Sequence, residues 1–259
     1  MSEFRHPTDG SAPATNELAT RPVQLELKSL RAGYGKMEVI HGIDLKVDRG
    51  QSICLIGPNG AGKSTILNAI FGLADVLGGR IMVAGHDTTA WQPTSMISTA
   101  KMAYVLQSNS AFPDMTVAEN LLVGGHLLPS RRSAVEAAER IFDNYPRLAQ
   151  RRSTAAGALS GGERRILEFS RALITEPDIL LVDEPSIGLE PRAIDEVFEM
   201  LSRLQRIEGK TIVIVEQNVK KGLEFADTGY VLVSGRVMLA DRAAALLHNP
   251  EINKLFLGG

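Results

Sequence analysis

The sequence predicts an α/β fold: a phosphate-loop core that carries an antiparallel β layer and an inserted run of helices. Three observations predict it. Gly57-Pro58-Asn59-Gly60-Ala61-Gly62-Lys63-Ser64 fits the pattern G-x-x-x-x-G-K-[ST], with a strand-like run before it and a helix-like run after it. Continuous apolar runs recur at residues 178–183 and 210–216, as strands buried in a parallel sheet require. Alternating runs lie upstream, at residues 24–30 and 43–47, as half-exposed antiparallel strands require.

The 259 residues are 44% hydrophobic and 22% charged, a globular composition sufficient for one large domain or two small ones. Residues 1–22 are polar and rich in Pro, Ser and Thr, so they read as a mobile tail, with the folded domain expected over 23–259. The two alternating strands lead through Asp48-Arg49-Gly50 into the apolar run Ser52-Ile53-Cys54-Leu55-Ile56. Tyr34 lies between the first two strands, where its ring can stack on a base or fill a turn. After the loop, Thr65-Ile66-Leu67-Asn68-Ala69-Ile70-Phe71 is apolar at helical spacing. Residues 78–85 read as a short strand bounded by glycines, and residues 101–107 as another that ends on the polar Gln107.

A helical stretch follows and reads as a subdomain inserted at about 113–175. Thr116-Val117-Ala118-Glu119 is a capping box. Ser133 is the expected cap of a helix over 134–145, with Val135, Ala138, Ile141 and Phe142 on its buried face. The α/β rhythm then resumes with the strand at 178–183. A helix is expected over 191–208 with Pro191 at its first position, then the strand at 210–216. Runs either side of Ser234-Gly235 suggest a hairpin, and a helical stretch runs on to Leu257.

The chemistry concentrates in three places. The loop glycines let several backbone N–H groups face one anion, and the helix N-terminus adds partial positive charge. Lys63 can reach terminal phosphates and the Ser64 hydroxyl can bind Mg²⁺. Asp183-Glu184 ends an apolar strand, where parallel sheets deliver ligands. Asp183 can hold Mg²⁺ through water, and Glu184 can polarise an attacking water. A plain Gly-rich turn and two solvated acids explain neither the flanks of the loop nor the abrupt end of the apolar run. Leu159-Ser160-Gly161-Gly162-Glu163 opens a second helix with a Gly-rich N-terminus, which suits an anion or a simple cap.

Bulk properties narrow the classes. A net charge of −2 gives no general attraction to nucleic acid or acidic lipid. The single cysteine, Cys54, sits in an apolar strand and reads as a core thiol, and the five histidines lack metal-ligand spacing. Arg131-Arg132 and Arg151-Arg152 read as solvated helix surface. No apolar run approaches the ~18–20 residues that cross a bilayer, and the N-terminus lacks a signal-peptide h-region, so a cytoplasmic protein is expected.

Residues 57–64, 159–163 and 179–184 resemble, in order and spacing, the Walker A, signature and Walker B motifs of ABC-type ATPases. The resemblance covers roughly 23–259. It implies a RecA-like phosphate-loop NTPase core of ABC ATPase type, with ATP and Mg²⁺ as cofactors and ATP hydrolysis as the reaction. Tyr34 matches the aromatic that stacks on adenine, and Gly57, Pro58, Asn59, Gly60, Ala61, Gly62, Lys63, Ser64 and Thr65 match the rest of the nucleotide cradle. Ser64, Gln107 and Asp183 are the implied metal contacts. Glu184, Gln107 and Gln217 are the implied catalytic set. Ser160, Gly161 and Gly162 would close on the γ-phosphate held by a partner chain, which implies a head-to-tail pair. Ser186-Ile187-Gly188-Leu189-Glu190 occupies the D-loop, with Glu190 where many members have Asp. Gln217 stands where most members have a histidine on the γ-phosphate. An amide donates a hydrogen bond but carries no positive charge and shuttles no proton. The expected assembly is therefore an asymmetric heterodimer with a histidine-bearing ATPase subunit, a homodimer being the alternative.

Met115-Thr116-Val117-Ala118-Glu119-Asn120-Leu121, Tyr145-Pro146-Arg147-Leu148, Val215-Glu216-Gln217-Asn218 and the ending Phe256-Leu257-Gly258-Gly259 resemble one subfamily, the second ATP-binding subunit of bacterial branched-chain amino acid importers. That implies membrane permeases as partners, a periplasmic solute-binding protein indirectly, no nucleic acid, and a place on the inner face of the cell membrane. Gln107 departs from that subfamily, and Ser160-Gly161-Gly162-Glu163-Arg164-Arg165 resembles the lipopolysaccharide-export ATPase. Urea or amide importers, that exporter, and a soluble non-transport ABC ATPase are the alternatives. The last usually carries a second cassette or a long coiled insert, and this chain has neither. Glu184 argues against a regulator that barely hydrolyses.

Overall fold

The computed structural model describes residues 21–107 and 110–252. The tail expected at 1–22 falls almost wholly outside the described residues, as does the ending at 253–259. Strands β1 (Val23–Tyr34), β2 (Met37–Asp48), β4 (Asp75–Val83) and β5 (His86–Asp87) form an antiparallel sheet ordered β2-β1-β4-β5. Strands β3 (Ser52–Ile56), β6 (Met102–Val105), β7 (Ile179–Asp183), β8 (Thr211–Val215), β9 (Thr228–Val233) and β10 (Arg236–Arg242) form a second sheet, ordered β10-β9-β3-β8-β7-β6. From β9 to β6 all neighbours are parallel, and β10 joins as the expected hairpin.

The core sits on both faces of the second sheet. In β3, β7 and β8 every residue is buried, and successive side chains alternate between two clusters. Cys54, Ile56, Leu180, Val182, Ile212 and Ile214 face one cluster. Ile53, Leu55, Ile179, Leu181, Val213 and Val215 face the other, which the antiparallel sheet covers. Helix α1 (Lys63–Phe71) packs in this second cluster. Helices α3 (Val117–Gly124), α4 (Arg131–Asn144), α6 (Gly161–Leu173), α7 (Pro191–Arg206) and α8 (Val219–Phe225) pack in the first. Shorter helices α2 (Pro93–Ser98), α5 (Pro146–Gln150), α9 (Ala243–Leu247) and α10 (Pro250–Ile252) complete the chain. Among the described residues no helix is long and apolar enough to cross a membrane.

Local expectations fare unevenly. The capping box at Thr116 and Pro191 at the first position of α7 are both present. The cap of α4 is Ser130, not Ser133: the Ser130 hydroxyl accepts from the Ser133 N–H at 3.1 Å. Ala134, Ala137, Ala138, Ile141 and Phe142 face inward, and Val135, expected on that face, is exposed. The strand expected at 78–85 begins earlier, at Asp75, and the paired glycines lie inside it. They mark a β-bulge rather than a strand end. The register against β1 slips between Lys28 and Arg31, and a Cβ on Gly79 (φ 80°) would meet the Ser29 carbonyl at 2.3 Å. The C-terminal stretch is two short helices, interrupted ahead of Pro250.

Candidate active site

Because β3, β8, β7 and β6 are consecutive and parallel, their carboxyl ends share one edge of the sheet. That edge carries the loop at 57–62 after β3, Gln107 after β6, Asp183 and Glu184 at the end of β7, and Gln217 after β8.

The loop turns into α1 through Gly62, its cap, at φ 97°, a conformation that disfavours any other residue. The Lys63 side chain is buried, and its ammonium donates to the Gly57 and Pro58 carbonyls at 2.9 and 3.2 Å. Thr65 is buried in the same helical turn. The Ser64 hydroxyl donates to Asp183 Oδ1 at 3.1 Å. Burial pushes the Asp183 pKa up, the Ser64 hydrogen bond opposes this, and the neighbouring Glu184 charge adds to it. Ser64 and Asp183 thus offer paired hard oxygens. Among the described residues no three His, Cys, Asp or Glu side chains cluster to hold a metal. A cation here would draw its other ligands from water and phosphate oxygens, as Mg²⁺ usually does.

Glu184 is buried and sits at φ 43°. For a glutamate that backbone costs on the order of 1–3 kcal/mol and persists only where the surroundings enforce it. Here its N–H donates to the Val215 carbonyl at 2.9 Å, extending the β7–β8 ladder. Its carboxylate accepts from Gln107 Nε2 at 2.7 Å and from Gln217 Nε2 at 3.1 Å. Gln217 Nε2 also donates to Asn59 Oδ1 at 3.0 Å, which ties the carboxylate to the loop. Gln107 is therefore engaged by Glu184, while Ser64 and Asp183 engage each other.

Two residues were missed by sequence reasoning. Tyr104 in β6 places its hydroxyl 3.1 Å from Asn68 Oδ1 and 3.3 Å from Asp183 Oδ2. Asn68 Nδ2 donates to the Tyr34 hydroxyl at 2.8 Å, so polar contacts run from Tyr34 to Asp183. Burial and the nearby Asp183 charge push the Tyr104 pKa well up, so the phenol keeps its proton. Asn68 lies four residues after Ser64, on the same face of α1, and that spacing was a usable signal. Tyr104 gave none. Tyr34 itself ends β1 with its side chain exposed rather than packed into the turn.

Ser160, Gly161 and Gly162 stand apart from this cluster. Ser160 caps α6 in a reciprocal box: its hydroxyl accepts from the Glu163 N–H at 3.2 Å, and the Glu163 carboxylate accepts from the Ser160 N–H at 2.9 Å. The helix therefore begins at Gly161, ahead of the arginines. These residues line a concavity of about 620 Å³ with Gly188, Leu189 and Glu190. Lys63, Asp183 and Glu184 do not line it. Glu190 is the cap position of α7 and is exposed, with no side-chain cap bond.

A family model described as ABC transporter matches residues 40–187. The high-affinity branched-chain amino acid transport ATP-binding protein BraG of Pseudomonas aeruginosa is 39% identical, over 87% of this chain and 96% of that protein. The probable branched-chain amino acid transport ATP-binding protein LivF of Archaeoglobus fulgidus is 34% identical, over 90% and 98%. Among solved structures, the ADP conformation of an ATP-binding cassette of an ABC transporter aligns with a TM-score of 0.80 at 27% identity, covering 92% of this chain and 99% of that one.

Proposed function

This chain belongs to the ABC transporter family and is an ATP-binding, ATP-hydrolysing subunit, and from that premise we propose that it powers uptake of branched-chain or other hydrophobic amino acids through separate permease subunits. The substrate class rests on the likeness to the two branched-chain amino acid transport proteins. The catalytic reading rests on one observation: the loop, Asp183, Glu184, Gln107 and Gln217 meet at four neighbouring strand ends.

In this reading the loop N–H groups at 57–64 and the Lys63 ammonium bind the phosphates, and the Tyr34 ring supports the adenine. Ser64 and Asp183 would hold Mg²⁺, which would supply charge neutralisation on the phosphate oxygens. Glu184 orients the attacking water and accepts its proton. Gln107 and Gln217 hold the Glu184 carboxylate, and the Gln217 amide, whose two N–H donors are taken by Glu184 and Asn59, exchanges one of them to reach the γ-phosphate once nucleotide enters. Neither glutamine can take the proton, so Glu184 is the base.

The site is half a site. Ser160, Gly161 and Gly162 form an anion-ready helix start on a concavity that Lys63 does not line, so in this reading they serve the nucleotide of a second ATPase subunit, as that subunit's motif serves this one. We place both motifs in one ATPase domain over 23–259, with the helices at about 113–175 as the subdomain that carries Ser160. The subunit sits on the inner face of the membrane, against its permeases. The test is ATP-driven uptake of labelled leucine, isoleucine and valine by vesicles carrying this subunit, its permeases and a solute-binding protein. ATP turnover with no uptake of any of the three would remove the amino acid assignment.

A further inference from the structure

The helix that presents Ser160 carries a buried ion pair that the nucleotide chemistry does not use. Arg165 and Glu168, one turn apart on α6, have side chains 6% and 3% exposed, with Nη1 and Oε2 2.8 Å apart. Opposite charges three residues apart on a helix normally decorate its surface. Burying them costs several kcal/mol per ion, and an apolar pair of the same volume would serve packing as well or better. The partners they reach show what the charges do instead.

Arg165 Nη1 donates to the Leu106 carbonyl at 2.7 Å, and its Nη2 donates to the Asp183 carbonyl at 3.2 Å. Glu168 Oε1 accepts from the Ser110 and Ala111 N–H groups at 2.8 and 3.3 Å. All four contacts are to backbone. Leu106 precedes Gln107, Ser110 and Ala111 follow it, and Asp183 precedes Glu184. Gln107 and Glu184 are in turn hydrogen-bonded to each other. Only a planar, forked guanidinium reaches two carbonyls at the ends of neighbouring strands, just after β6 and in β7, while keeping its carboxylate.

We propose that Arg165 and Glu168 are positioning residues: a clamp on the signature helix that sets the placement of Gln107 and Glu184 for hydrolysis. The inference rests on the reading of Glu184 as the base. The clamp makes no hydrogen bond to the loop at 57–64, so its loss should act on the chemical step and leave ATP binding alone. Misplacing a catalytic group by about 1 Å can cost on the order of 100-fold in rate.

The test uses the assembled transporter and three variants, reading kcat, KM for ATP and thermal midpoint. Arg165→Met/Glu168→Leu replaces the pair by apolar groups of similar size but leaves the Leu106 and Asp183 carbonyls and the Ser110 and Ala111 N–H groups without these partners, so the midpoint should fall and kcat is read well below it. The clamp predicts that kcat falls by about 10-fold or more while KM stays within about 3-fold. Arg165→Lys keeps the charge but loses the fork and should also lower kcat. Glu168→Gln keeps an oxygen for Ser110 and Ala111, so it should lose less than the double variant. A double variant that folds and turns over within about 2-fold of the parent overturns the clamp. If the double variant does not fold, an Arg165→Lys protein with parental kcat overturns it. A parent with normal turnover that survives Glu184→Gln would instead overturn the reading of Glu184, a result distinct from failure of the clamp variants.

Discussion

Gln217 Nε2 lies 3.1 Å from Glu184 Oε1, closing a bridge in which one amide joins the Glu184 carboxylate to Asn59 of the phosphate loop. Gln107 holds the second carboxylate oxygen at 2.7 Å. The group read as the base is thus gripped from two strands by neutral donors. Misplacing such a group by about 1 Å can cost on the order of 100-fold in kcat. Gln217→Leu should lower kcat by up to about that factor and leave ATP affinity within a few-fold, measured by steady-state turnover and equilibrium binding. Parental kcat would show that the bridge is incidental.

The same amide predicts asymmetry between the two sites of the assembled pair. A glutamine cannot stabilise charge or relay a proton as a histidine can. Turnover should depend unequally on the two phosphate-loop lysines when each is substituted alone. Equal losses from either substitution would contradict a heterodimer with one weaker site.

Tyr104 links Asp183, the carboxylate proposed to hold Mg²⁺, to Asn68 of α1. Groups that orient a metal ligand in this way are commonly worth 10–100-fold in metal affinity. Tyr104→Phe keeps the ring packed edge-on against Phe71 and removes only the hydroxyl. It should raise the Mg²⁺ concentration for half-maximal turnover by about 10-fold and cost about 1 kcal/mol of stability. An unchanged Mg²⁺ titration would remove Tyr104 from the site.

Glu163 closes the capping box at Ser160, and hydrogen bonding to the Ser160 N–H holds its carboxyl below the usual glutamate range. A carboxyl whose folded pKa is depressed binds fewer protons folded than unfolded, so it adds stability above its ordinary pKa and loses it as pH falls through the depressed value. Glu163→Gln should therefore destabilise the protein near neutral pH, by about 1 kcal/mol or less for a single cap partner, and less below pH ~4. Thermal midpoints of parent and variant across that range check it, and a pH-independent difference would contradict it.

Much of the site was legible because its parts are local. A phosphate loop needs its glycines, lysine and serine in one short stretch between strand and helix, and Asp183-Glu184 announces itself as acid after an apolar run. The parallel core was legible because β3, β7 and β8 are buried on both faces. What was hidden depends on burial or on distant pairing. Arg165 and Glu168 have the spacing of a surface pair, and only the packing of α6 shows them enclosed. Tyr104 meets Asn68 and Asp183 across three separate elements. Gly78 and Gly79 look like a strand boundary until their register against Ser29 identifies a bulge. Ser133 was a plausible cap, but Ser130 lies where the chain actually turns.

ATP turnover of the Glu184→Gln protein tests the central claim most directly, that this edge of the sheet is a hydrolytic half-site with Glu184 as its base. The substitution keeps the size of the side chain and one of the two acceptor oxygens that Gln107 and Gln217 bind, and removes the capacity to take a proton. Turnover should fall by about 10²–10⁴-fold while ATP still binds, and the bound pair should stay closed. Lys63→Ala, assayed beside it, should lose ATP binding itself. Undiminished turnover in Glu184→Gln would contradict the account.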